Sequence, residues 1–275
     1  MEINVNELFF WEPLAFEGTP FEINRVVILM FVGSIACMAF FLVGARRGRL
    51  VPKGIQNLTE SAYLFVRDQI AIDVIGPKEG LRWAPYLAAV FFFIFFMNLL
   101  EIVPGINFPV TSRMAIPAFL AVLTYIIFNF LGIKRQGLIR YFKDTLFPPD
   151  VPLAIKPLLA LIELFSTFVI RPLTLSVRLL ANMMAGHVLL TIFFLFSAEY
   201  FALDITLPLG IVTAIVAAGL IVFELLVISI QAYIFTMLTA FYISEAYHGH
   251  GEAEADTSAQ EEVPHETEGI STQAA

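Results

Sequence analysis

The last two apolar stretches of this 275-residue chain, Pro157 to Phe196 and Leu207 to Ala246, each run about 40 residues with few charges. As α-helices they would each be about 60 Å long, twice the roughly 30 Å hydrocarbon thickness of a bilayer. A single soluble core would not bury two such elements, whereas lipid accepts them as long as their backbone polar groups are paired within the helix. Three further runs, Val26 to Gly44, Trp83 to Leu100 and Met114 to Ile133, are of spanning length. A hydrophobic fraction of 59% and a mean hydropathy of +0.81 agree. The expected fold is therefore an all-α integral membrane protein with about five membrane helices. Its last two are long and strongly tilted, and they pack as an antiparallel hairpin. Pro172, which removes a backbone donor just after Arg171, predicts a bend. Thr206 is the expected N-cap ahead of Pro208.

Between the first two spans, Ile55, Leu58, Ala62 and Phe65 recur at helical spacing, while Glu60, Arg67 and Asp68 keep the segment too polar to insert. An interfacial helix over Ile55 to Ile75 follows. The element EIVPGINFPVTSR between the second and third spans reads as a turn of a helical hairpin. Residues 1–247 form the expected membrane domain. Residues 248–275, rich in Gly, Glu, Ser and Thr, are expected to be a disordered acidic tail. The tail carries much of the acid behind the net charge of -8. Cations gather after the first span (Arg46, Arg47, Arg49, Lys53) and after the third (Lys134, Arg135, Arg140, Lys143). The positive-inside rule makes both loops cytoplasmic, with the N-terminus outside and the C-terminus inside. The acidic start, MEINVNELFFWEPLAF, lacks the cationic region and cleavage site of a secretory leader, so none is expected. With one cysteine, Cys37, no internal disulfide forms. No metal site, cofactor or nucleic-acid partner is expected.

Ionisable groups at membrane depth are costly and default to a functional reading. No lysine or arginine follows Arg178, and His187 is the only ionisable side chain from Leu179 to Ala198. From Leu207 to Ser244 the only acid or base other than tyrosine is Glu224, with Gln231 seven residues later. In an antiparallel hairpin, numbers rise on one helix as they fall on the other. One register then brings Gln231 near Arg178 and Glu224 near His187. Asn182 lies one turn after Arg178 on the same face, and Glu163 lies two turns beyond Lys156. Interhelical packing alone would account for Asn182 and Gln231, and a buried acid–imidazole pair could serve either packing or a proton relay. A secondary transporter would use the same groups, without a rotating partner. An enzyme is not expected, since no paired serine and histidine motif or HExxH arrangement is present.

The string RPLTLSVRLLANMMAGH, with QAYIFTMLT downstream and NLLEIVP and PVTS upstream, resembles subunit a of rotary F-type ATP synthases over Asn98 to Tyr242. The resemblance implies a stationary proton-channel subunit with two offset half-channels, beside a ring of small hairpin subunits that carry a mid-membrane carboxylate. It also implies a subunit b stalk and residence in a bacterial plasma membrane. By that likeness Arg178 is the essential arginine, Asn182 its companion and Gln231 the glutamine beside it. His187 and Glu224 fill the outer half-channel's histidine and carboxylate positions, which some members carry exchanged. Glu163 stands near an inner-path carboxylate, with a spacing to Pro172 one residue longer than the family's.

Overall fold

A computed structural model describes residues 23–46, 48, 52–103, 105–146, 155–201 and 207–248. Thr206, Arg47, Arg49 and the tail after His248 lie outside the described residues. Among the described residues every regular element longer than a turn is helical, and five helices are long and apolar enough to cross a membrane.

Helix α1 spans Arg25–Ala45 and starts at Asn24, whose side chain accepts a hydrogen bond from the Val27 N–H at 3.1 Å. Helix α2, Ile55–Val66, continues through a π turn, Arg67–Ile72, and a last α turn, Asp73–Ile75. The whole segment matches the interfacial helix expected over Ile55 to Ile75. Its π turn presents the Ala71 carbonyl to α3, Pro77–Leu99, where a Cβ at Gly80 would overlap that carbonyl. A glycine there lets the two backbones touch.

Helix α4, Ala115–Gln136, closes the first hairpin. The basic segment after it is a short helix rather than a plain loop: α5, Leu138–Leu146. Buried Tyr141 on α5 presses on Gly132 of α4 and donates to Asn129 Oδ1 at 3.0 Å. Apolar positions Leu138, Tyr141, Phe142 and Leu146 recur at helical spacing among the cations that signalled the loop.

Helix α6, Lys156–Phe165, passes through a π turn, Ser166–Ile170, into α7, Arg171–Phe201. The π turn stands where the sequence predicts a bend. Pro172 has no N–H to give the preceding turn, so the helix widens just before it. Helix α8 runs unbroken over Leu207–His248. At 40 residues or more, α8 and the α6–α7 rod are each at least about 60 Å long, so neither fits upright within a slab of about 30 Å.

Lipid tails are as apolar as leucine, so close packing rather than hydrophobicity must join these helices. The core lies where α3, α7 and α8 meet, around Leu87, Ile94, Leu179, Met183, Ile228 and Phe235. A second cluster, Val26, Leu29, Met97, Leu100, Phe108 and Val110, seats the α3–α4 turn on α1. Along the outside, α7 and α8 expose large apolar residues such as Leu173, Val177, Val222, Phe223 and Leu226.

Candidate proton-translocation site

The hairpin of α7 and α8 brings most of the sequence-selected polar residues together, in a register close to the expected one. Gln231, 1% exposed, accepts a hydrogen bond from Asn182 Nδ2 at 2.7 Å. Its hydrogen-bond partner is thus Asn182, one turn beyond Arg178. Glu224 packs against Gly186, the neighbour of His187, so tightly that a Cβ at Gly186 would overlap the carboxylate. Asn182, Gly186, Glu224 and Gln231 line one cavity between the two helices, of about 410 Å³.

His187 has a partner the sequence reading did not select. Its Nδ1 lies 3.8 Å from Oε1 of Glu101, the acid of NLLEIVP. Glu101 follows the end of α3, and the turn folds it inward until only 2% of it is exposed. The ring of Phe108 stands edge-on to the imidazole at 5.6 Å between centroids. Burial, and then the nearby Glu224 carboxylate, push the Glu101 carboxyl up to about 9. Both Glu101 oxygens, Oε1 of Glu224 and Nδ2 of Asn98 are buried without a hydrogen-bond partner among the described residues. Buried polar atoms left so are costly, and the ordinary remedy is internal water. An acid at the edge of a long apolar run was the signal that could have found Glu101.

Arg178 differs from all of these. It is exposed and makes no hydrogen bond or ion pair among the described residues. A guanidinium stays charged at any working pH and presents donors in a planar fork, so it can bind a carboxylate without passing on a proton. Seven residues earlier on the same helix, Arg171 is by contrast held in a two-point ion pair by Glu245 of α8, at 2.5 and 3.1 Å. Neither Arg171 nor Glu245 is among the site residues expected from the sequence. Glu163 on α6 is half-buried and lies within electrostatic reach of Arg171.

The ATP synthase A chain family model matches residues 26–244. Relatives include ATP synthase subunit a of Frankia alni, 44% identical over 90% of this chain and 85% of the relative. The Rhodococcus erythropolis subunit a is 40% identical over 87% of this chain and 88% of its own length. For that of Streptomyces lividans the figures are 38%, 88% and 86%. A match along nearly the whole helical region, with relatives this similar over most of both chains, places the chain in the ATP synthase A chain family.

Proposed function

We propose that the chain is the stationary proton-conducting subunit of a rotary F-type ATP synthase in a bacterial plasma membrane, with its N-terminus outside and its C-terminus cytoplasmic. The observation that carries this reading is Arg178, an exposed guanidinium without an ion-pair partner among the described residues, within a largely apolar stretch of α7. Such a charge calls for a counter-charge from a neighbour. A ring of small hairpin subunits, each with a mid-membrane carboxylate, supplies it. Subunit b of the peripheral stalk holds the chain still, and no cofactor takes part.

Protons enter by the outer half-channel through the cluster of Glu101, His187 and Glu224 and pass the Asn182–Gln231 pair. They load a ring carboxylate, which becomes neutral and can then face lipid. After the ring has turned, the proton leaves by an inner path on the Glu163 side of Arg178. The guanidinium favours the ionised form of each arriving carboxylate and blocks direct passage between the two paths. Proton flow is thereby tied to rotation. Each proton brings about 2.3 kcal/mol per 100 mV of membrane potential, so several are needed per ATP.

The test is Arg178→Ala in the complete complex, with ATP synthesis and passive proton leak measured in membrane vesicles. Loss of coupled synthesis is expected, and synthesis at the parental rate would refute the assignment. Arg178→Lys is expected to fail too, since lysine lacks the fork and can shed its proton in a dry site.

A further inference from the structure

Arg171 and Arg178 stand seven residues apart on α7, which puts them on one helix face about 10 Å apart along the axis. Two guanidiniums so placed would compete for the same carboxylate, but their surroundings differ. Arg178 is exposed and unpaired among the described residues. Arg171 donates from Nη1 and Nη2 to the two oxygens of Glu245, and the two side chains are 19% and 11% exposed. The Arg171 guanidinium also lies over the Tyr242 ring, 5.4 Å from its centroid. The charged and titratable groups that act on the pair are Glu163 from α6, Tyr141 from α5 and Tyr242 from α8, with Tyr125 of α4 beyond them against Tyr141. Arg178 acts on the same Tyr242.

A half-buried arginine is ordinarily matched to hold two helices together, and a clamp between α7 and α8 would need no more than that. The position of this one on the Arg178 face adds a consequence. Left without its partner, Arg171 would be a second fixed cation on the path of a mobile carboxylate, and it would repel a proton leaving on that side.

We propose that Glu245 is the counter-ion that withdraws Arg171 from the carboxylate-binding face of α7, so that a neighbouring rotor carboxylate meets one free guanidinium instead of two in line. This inference rests on the proposed rotary function and adds to it a residue that sets which arginine is available. Glu245 acts through Arg171 and is a positioning residue.

The experiment compares Glu245→Gln, Arg171→Gln, the double variant and Glu245→Asp in the complete ATP synthase in inverted vesicles. Rates are taken per assembled complex. Glu245→Gln is expected to slow coupled synthesis about tenfold, the effect of roughly one pKa unit of uncompensated interaction. The double variant should recover to within about threefold of the parent, because the stray cation goes with its partner. An added cation favours ionised carboxylates, so the acid limb of the rate–pH profile should move to lower pH in Glu245→Gln. It should return in the double variant and stay in place in Glu245→Asp. A helix clamp alone would alter the amount of assembled complex and leave that limb unmoved, and this outcome overturns the proposal. So does a Glu245→Gln complex with parental rate and profile. A double variant as slow as Glu245→Gln overturns it as well, by making the Glu245 carboxylate itself the required group. Arg178→Ala is run alongside: retained coupling there sinks the rotary reading, whereas lost coupling there with no rescue by the double variant sinks this inference alone.

Discussion

The hairpin of α7 and α8 carries two acid–base clusters built to opposite rules. Around His187, two carboxylates share one buried region, the imidazole stands 3.8 Å from Glu101, and three carboxylate oxygens lack a hydrogen-bond partner among the described residues. Around Arg171, one carboxylate and one guanidinium meet at two points, with an aromatic ring against the cation. The second arrangement satisfies its charges and therefore holds still. In the first, the cost of burial is left unrelieved by protein groups, which favours water and exchangeable protons over a fixed bond. Similar residue types thus give a tightly paired cluster at one end of the hairpin and, under the proposed function, a proton relay at the other.

Variants at the two clusters and between them can break that contrast, and Arg178→Ala should have the largest effect, abolishing coupled synthesis as described above. Next comes Glu101→Gln. If the carboxyl exchanges protons with His187, synthesis should fall by about 100-fold or more, the usual contribution of a proton-transfer group. Parental rates in that variant would reduce Glu101 to packing. Exchanging His187 and Glu224 should preserve more activity than removing either one, and equal loss in all three variants would argue against a shared relay.

Gly186→Leu sharpens the comparison by geometry alone. Its side chain would occupy the place of the Glu224 carboxylate, so proton conduction should drop while assembly of the complex persists. Gln231→Leu removes the acceptor for Asn182, an exposed residue, so it should cost only the net worth of one hydrogen bond, about 0.5–1.5 kcal/mol, read as a lower unfolding temperature of the complex. At the bottom of the scale is Arg67→Gln. Arg67 and Asp68 are adjacent and only partly buried, and the hydrogen bonds from Arg67 hold the Asp68 carboxyl below its ordinary range. Losing that contact should leave assembly and rate unchanged, because solvent screens the charges.

Much of the fold was legible because lipid imposes simple rules. Spans were readable as apolar runs, and the interfacial helix as a periodic segment too polar to insert. The π turn before Pro172 follows from a missing N–H, a property of a single residue. Helix α5 was harder to read, since Arg140 and Lys143 signalled a basic loop while Tyr141 found its place only by packing on Gly132. Within the site, Arg178, His187, Glu224 and Gln231 stood out because each is a lone polar group in an apolar helix. Glu101 did not stand out, since it belongs to a turn rich in Pro, Gly and Asn, where an acid is unremarkable. Glu245 stands at the very end of the apolar run, one residue past the Leu207 to Ser244 window in which Glu224 is alone, and its partner is 74 residues away in sequence.

Alone, the sequence determined that the chain lives in a bilayer, how many times it can cross, and which side chains are costly enough there to require a purpose. Those are local properties, set by the transfer of individual groups from water into hydrocarbon. Which costly groups meet was decided by the tertiary structure. The α3–α4 turn delivers Glu101 to His187, and the hairpin register gives Gln231 to Asn182 and Glu245 to Arg171. Contacts of this kind depend on helix lengths, a glycine's missing Cβ and the width of a π turn acting together, and no single stretch of residues encodes them.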